Sequence, residues 1–303
     1  MAEPGRRRVT FVTPTFAGDL ERFRLLRLSM RALGMDVPHV AVVQTEDLPL
    51  FQRATRQDPG VTLVASADVL APQAEKARRR GSGRAPRRPL PLAKRALQAA
   101  PGWRWSMSGW QAQQLVKLGA GSVVDTDHWV SLDSDSVFLR PVSADAFFDD
   151  SGLLLLNRLT GPGPQQARAQ QRSARLLGLD PALLDPSVYY VDVPVPLHRH
   201  VVSDLLSVVE QRSGVAWTVA FQTSRATEYM AYGLYAEHLD VPRRTAARRL
   251  DMSRLLYAYD SAAFPQELDD ALANGVSLVM IHSLLAVPMS EVQAALARRW
   301  GRP

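Results

Sequence analysis

The stretch Trp129-Val130-Ser131-Leu132-Asp133-Ser134-Asp135 runs from apolar and small residues straight into two carboxylates. Such a run reads as a buried strand ending in Asp-x-Asp. It sets two carboxylates at the carboxyl edge of a sheet, where ligands of open α/β sheets bind. The next basic residue along the chain is Arg140, so no local cation is expected to neutralise them. Two hard oxygen ligands without a cationic partner suit Mg²⁺ or Mn²⁺; a solvated turn is the plainer alternative. A second Asp-x-Asp, Asp125-Thr126-Asp127, precedes the apolar run. It falls at the opposite end of the same strand, where turn chemistry accounts for it.

Working upstream, Val9 to Thr13 reads as a short strand, followed by the polar turn Thr13–Asp19. Phe23, Leu26, Met30 and Leu33 recur at three- and four-residue spacing, which predicts an amphipathic helix over Leu20–Leu33. Val40–Gln44 and Val61–Val64 read as further strands. This β-α-β-β order ahead of the Asp-x-Asp strand predicts an α/β fold with a doubly wound, mostly parallel sheet. Its strand ends would gather Thr13, Thr15, Gln44 and Asp133 on one edge. The first turn lacks Gly-x-Gly-x-x-Gly, which argues against an NAD-type site.

Only three lysines occur, Lys76, Lys94 and Lys117, so thirty-three of the 36 basic residues are arginine. Lys117 falls in Gly109–Leu118, a predicted helix just before the Asp-x-Asp strand. It reads either as a phosphate or sugar contact or as an ordinary surface lysine. Downstream, Leu153–Asn157 and Tyr189–Val193 read as strands, and Gln165–Leu177, His200–Gln211 and Ala226–Glu237 as helices. Thr227 is placed to cap the last of these, with Glu228 in its first turn. Glu228 is either a dipole-complementing surface residue or the general base for an acceptor hydroxyl. Tyr229 and Tyr232 read as core in preference to a sugar-stacking face. Val276–Ser283 is an apolar strand ending at His282, which reads as a third metal ligand by the same strand-end logic or as a histidine satisfied locally. His198-Arg199-His200 reads as surface helix capping in preference to contact with an anionic group.

With 303 residues and 46% hydrophobic content, the chain can bury one large core or two coupled halves. The expected division is 1–141 for a nucleotide-binding half and 142–303 for an acceptor-binding half. The net charge is +6, yet the segment 76–89 alone carries seven cationic residues, so the remainder is near neutral. That distribution argues against nucleic-acid binding. The Gly, Ser and Pro of the segment predict a solvated basic loop over 76–98. No apolar run approaches the roughly 20 residues of a membrane span, and the N-terminus lacks a signal-peptide core, so a cytoplasmic protein is expected. There is no cysteine, hence neither a disulfide nor a thiolate metal site.

Phe11–Phe23, Gly109–Leu118, Asp133–Pro141 and Ala226–Gly233 together resemble, in order, landmarks of a group of bacterial GT-A-type glycosyltransferases. The resemblance covers most of the chain, leaving out the basic segment and the last few residues. It implies a single GT-A domain, Mn²⁺ or Mg²⁺, and a nucleotide-sugar donor, with a UDP-sugar favoured. In that setting Asp135 would be the main metal ligand and His282 its distant partner. Asp133 would be a further ligand or would orient ribose and metal-bound water. Thr13, Thr15, Gln44, Gln114 and Lys117 would line the donor site. Glu228 would activate a glycan or small-molecule hydroxyl, favouring inversion. The rivals are a sugar-nucleotidyltransferase and a non-catalytic nucleotide- or sugar-binding protein.

Overall fold

Thr10–Thr15 (β1) lies at the centre of a five-stranded sheet. On one side it pairs with His39–Val43 (β2), which pairs with Val61–Ala65 (β3); on the other it pairs with His128–Ser131 (β4). These four strands are parallel, and Val195–His198 closes the far edge antiparallel to β4. In this computed structural model the described residues are 7–82, 107–256, 262–281 and 287–300. Every residue of β1 and β2 is buried, as expected of parallel strands covered on both faces. The result is a mixed α/β fold with a mostly parallel central sheet and flanking helices.

Helix α1, Leu20–Ala32, buries Phe23, Leu26 and Met30 on the predicted stripe. Between β2 and β3 the sequence reading placed no helix, but the chain forms α2, Leu48–Ala54, with Phe51 buried. The order is therefore β-α-β-α-β. Seven residues are too few for a periodic signal; only Pro49 in the first turn marks the start.

The basic segment also differs from expectation. Residues up to Ser82 continue helix α3, Pro72–Ser82. Arg78 is 1% exposed and donates to Glu75 Oε1 at 2.7 Å and Glu46 Oε1 at 2.9 Å. Its charge is buried and paired, so it does not belong to a solvated loop. The rest of the expected 76–98 loop lies outside the described residues.

Helix α4, Gly109–Gly119, opens with a capping box: Ser108 Oγ accepts from the Gln111 amide, and Gln111 Oε1 accepts from the Ser108 amide. It packs on β1 and leads through a turn into β4. At the far end of β4, Asp127 accepts from the Arg199 amide through its carbonyl and lies 3.7 Å from Arg199 Nε. Asp125 and Asp127 are thus strand-entry residues, away from the Asp-x-Asp edge.

In the second half, Leu154–Asn157 forms a strand and Pro164–Leu177 forms α5. Arg199–Ser213 follows as α6, capped by His198 Nδ1, which accepts from the His200 amide. The expected strand Tyr189–Val193 is broken into a two-residue strand, Val188–Tyr189, and the separate strand starting at Val195. Trp217–Ser224 (α7), short and not anticipated, precedes Glu228–His238 (α8). From Glu228 to Ala236 helix α8 is buried on all sides, as a helix apolar around most of its circumference is. Gly233 permits this: a Cβ there would lie 2.1 Å from the Tyr190 ring. Thr227 stands at the N-cap, but its side chain makes no capping bond and its Oγ1 has no partner.

A smaller sheet sits beside the motif. Ser253–Leu256 runs parallel to Leu278–Ile281, which runs antiparallel to Ser136–Phe138, just past the Asp-x-Asp. The Phe138 amide donates to Ser29 Oγ, and the Ile281 amide donates to the Asp135 carbonyl at 2.8 Å. The strand expected to carry His282 is therefore present and bonded to the motif. His282 itself lies outside the described residues. No described helix is long and apolar enough to cross a membrane.

Candidate functional site

The strand order reverses at β1: β2 and β3 lie to one side, β4 to the other. A crevice outside the carboxyl ends of the strands is expected at such a switch point, and a cleft of about 840 Å³ opens there. Phe16, Gly18, Asp19 and Arg22 line it after β1; Gln44, Glu46 and Asp47 after β2; Asp133, Ser134 and Asp135 after β4. Gly109, Trp110 and Gln113 of α4 close the remaining wall.

The cleft is rich in carboxylates. Asp135 sits among them with its carboxyl pushed up to about 7, first by burial and then by the negative charges of Asp133 and Asp19. Asp19 is held in place by Ser134 Oγ, which donates to it at 3.1 Å, and by Arg22 Nη1 at 3.1 Å. Arg22 Nε is buried and has no hydrogen-bond partner among the described residues. Two other acids are already engaged: Glu46 by Arg78, and Asp47 by the Ala17 amide at 2.7 Å. Among the described residues, no three His, Cys, Asp or Glu side chains stand together as a ready-made metal site. Asp133 and Asp135 nonetheless fit Mg²⁺ or Mn²⁺, ions often held by one or two carboxylates and completed by water and phosphate oxygens. The raised Asp135 marks where positive charge would relieve repulsion.

One cation already approaches the motif, contrary to the reading that Asp133 and Asp135 have none. Lys117 Nζ lies 2.9 Å from Asp133 Oδ1 and 3.5 Å from Glu228 Oε1, and 4.7 Å from the Tyr229 ring centroid. Lys117 is 6% exposed, which removes the surface-lysine reading. Burial opposes its charge, but Asp133, Tyr229 and Glu228 outweigh that and hold the ammonium well above its ordinary value. The partner lay 16 residues away along the chain, in an element that folds back over the strand end, so local spacing could not reveal it.

Glu228 is buried, and burial pushes its carboxyl up against the pull of Lys117. It faces Lys117 and lines neither the cleft nor the cavity described below. Tyr229 donates to Ser131 Oγ at 2.9 Å, and the Tyr232 hydroxyl accepts from the His198 amide; both are core. Thr13 is fully buried, its hydroxyl 2.9 Å from His39 Nε2, and Thr15 is buried with its hydroxyl unpartnered. Neither is among the cleft-lining residues. The β1 side chains face into the layers covering the sheet, which leaves the cleft to the turn that follows. Gln44 does line the cleft. Gln114 is buried and faces a different space.

That second cavity, about 480 Å³, lies between α4, α5 and α7. Trp110, 59% exposed, borders both spaces. The sequence reading missed Asp19, Arg22 and Trp110. The strand-end rule applied to the turn after β1 would have found Asp19; nothing local singles out Trp110.

Solved structures similar to this chain include three glycosyltransferases. Mouse xyloside xylosyltransferase 1 in its apo form matches 93% of this chain and 100% of its own, at TM-score 0.44 and 10% identity. The galactosyltransferase LgtC, in complex with donor and acceptor sugar analogues, matches 96% of this chain and 95% of its own, at TM-score 0.45 and 13% identity. The apo WbbM bifunctional glycosyltransferase matches 99% of this chain but 50% of its own, at TM-score 0.48 and 9% identity. No curated protein matches the sequence. A family model described as a family of unknown function, DUF6492, matches residues 9–297, nearly the whole chain, and the chain belongs to that family.

Proposed function

We propose that this protein is a glycosyltransferase that binds a nucleotide-sugar, with a UDP-sugar favoured, in the cleft at the ends of β1, β2 and β4. The observation that carries the reading is the placement of Asp19, Asp133 and Asp135 around one opening at the switch point, with Asp135 raised by its neighbours. A cleft so charged repels a diphosphate unless a divalent cation sits between them. Bound by Asp135 and Asp133, with His282 as a further candidate ligand, Mn²⁺ or Mg²⁺ would neutralise charge growing on the leaving diphosphate.

The chain's own residues divide the remaining work. Lys117 fixes the direction of Asp133 and offsets part of the excess negative charge. Arg22, with its free Nε, is available to a phosphate oxygen. Gln44 offers an amide to the nucleoside, and Trp110 an apolar face to a sugar. Glu228 acts through Lys117 and is a positioning residue; its burial and partner give no support to the general-base role. Residues 1–141 would supply the donor half and 142–303 the acceptor half.

The test is release of nucleoside diphosphate from a panel of nucleotide-sugars with Mn²⁺ present. Wild type should release it from one base class and Asp135→Asn should not. Equal release by both proteins would remove the aspartate pair from the reaction.

A further inference from the structure

The two cavities that share Trp110 carry opposite charge. The strand-end cleft is lined by five acids and one arginine. The cavity between α4, α5 and α7 is lined by Arg168, Arg172 and Arg225 and by no carboxylate among the described residues. Arg168 and Arg172 stand four residues apart on α5 and so project from one face of it.

None of these three guanidinium groups forms an ion pair or hydrogen bond with a described residue. Other arginines are matched: Arg27 to Asp58, Arg78 to Glu75, Arg244 to Asp204 and Arg299 to Asp269. Arg225 holds φ at +56° as the C-cap of α7, a left-handed conformation uncommon for a residue with a side chain. Its side chain lines the cavity, and glycine would take this position without strain. Two further polar groups converge on the same space. Gln114 is 4% exposed and lines the space, while Thr227 Oγ1 is buried with no partner among the described residues. Unsatisfied buried polar groups in a concave site point to a ligand that satisfies them.

We propose that this cavity binds the acceptor and selects one bearing an anionic group, a carboxylate or a phosphate. The proposal rests on the donor reading of the neighbouring cleft, and it names the substrate class that reading leaves open. Three planar forks around one space match the oxygen geometry of either anion. Trp110 forms a common wall, so a sugar stacked on it from the arginine side would present a hydroxyl toward a donor held beside Asp135. The acidic cleft would reject the acceptor's charge and the arginine cavity would retain it, which fixes the direction in which an acceptor enters.

The experiment is a ligand-observed NMR titration of wild type, Arg168→Gln/Arg172→Gln and Arg225→Gly with glucose, glucuronic acid and glucose 6-phosphate. UDP with Mn²⁺ is titrated in parallel on the same samples. Wild type should bind at least one anionic sugar roughly tenfold or more tighter than glucose, the scale of one charge-assisted hydrogen bond. The tighter of the two anions identifies the substituent. Both variants should lose that preference while keeping UDP binding and thermal stability, since the replaced side chains are exposed and make no ion pair or hydrogen bond with a described residue, and glycine suits the φ of position 225. Equal binding of all three sugars by wild type overturns the proposal, as does an unchanged preference in both variants. Loss of UDP binding in the arginine variants also overturns it, because the cavity would then belong to the donor. Arginine-dependent sugar binding without binding of UDP or any other nucleoside diphosphate would leave the anion site standing and remove the donor reading alone.

Discussion

Lys117 Nζ lies 2.9 Å from Asp133 Oδ1, so the first aspartate of the Asp-x-Asp motif is tied to a buried ammonium on the preceding helix. The same ammonium lies 3.5 Å from Glu228 Oε1. One lysine thereby links the sheet edge to α8. The two aspartates of the motif differ as a consequence: Asp133 has a close cation, while among the described residues Asp135 feels the like charges of Asp133 and Asp19 and a weaker opposing pull from Arg22. This asymmetry assigns them different work.

Lys117→Met is expected to destabilise the fold by about 3 kcal/mol, because removing one partner leaves Glu228 buried and unpaired. Adding Glu228→Gln to that variant should restore part of the loss. Urea denaturation of the two single variants and the double variant gives the coupling. Additive losses would mean that the two residues do not interact.

Asp135→Asn should abolish metal-dependent nucleotide binding and leave the fold intact, since an amide keeps the shape and loses the charge that holds a hard cation. Asp127→Asn should be close to silent, because Asp127 stands at the opposite end of β4. Calorimetric titration of both variants separates the two Asp-x-Asp sequences.

The metal-free protein should respond to pH through Asp135 in the sense opposite to most paired carboxylates. Its folded value, about 7, lies above its ordinary value near 3.8. The native state therefore holds this proton more tightly than the unfolded chain. Stability from this group is fully present below about 4 and is lost as pH rises through about 7. At pH 8 without metal, Asp135→Asn should be more stable than wild type by on the order of 1–3 kcal/mol, allowing for screening in the open cleft. A set of melting curves between pH 5 and pH 8 in the presence of chelator, on the order of one per pH unit, is sufficient. A variant no more stable than wild type at pH 8 would contradict the assigned repulsion.

Arg78→Met should cost about 3 kcal/mol, since it removes the buried cation of the buried Glu75 carboxylate and leaves it to the exposed Arg79 and the Thr45 and Ser66 hydroxyls. A residue in a solvated loop would cost less than about 0.5 kcal/mol. Glu75, held down to about 2 by hydrogen bonds from Arg78 and Arg79 that outweigh burial, makes this contact stabilising at neutral pH. Denaturant unfolding at pH 7 reports the loss.

Glu228→Gln is expected to leave UDP affinity within about twofold and to lower transfer mainly through Asp133 and Lys117. The sequence-level expectation of a general base would require a fall on the order of 10²–10⁴ in rate, with binding untouched. Parallel binding and rate measurements on this variant distinguish the two roles.

Much of the sheet was legible because its strands carry their own signal. The runs at β1, β2 and β4 are rich in apolar and β-branched residues, and the carboxylates of Asp133 and Asp135 mark the end of one. Helix α1 announced itself through Phe23, Leu26 and Met30. Helix α2 is too short to show a period, and α3 is a charged helix whose burial depends on Glu46, a residue from another turn. The pairing of Lys117 with Asp133 and Glu228 is tertiary: three elements converge, and no spacing along the chain encodes it. Thr13 and Thr15 were placed at the correct strand end, but strand alternation turned them into the covering layers and left Asp19 and Arg22 at the opening.

The most direct test of the central claim is a thermal-shift panel of nucleoside diphosphates, each with and without Mn²⁺, on wild type and Asp135→Asn. A ligand specific to the native state stabilises it by about 2.7 kcal/mol at a hundred times its dissociation constant. The expected result is a shift with one base class, UDP favoured, that requires Mn²⁺ and vanishes in Asp135→Asn. A shift of equal size without metal, or one that survives in Asp135→Asn, would contradict a metal-dependent donor site at this cleft.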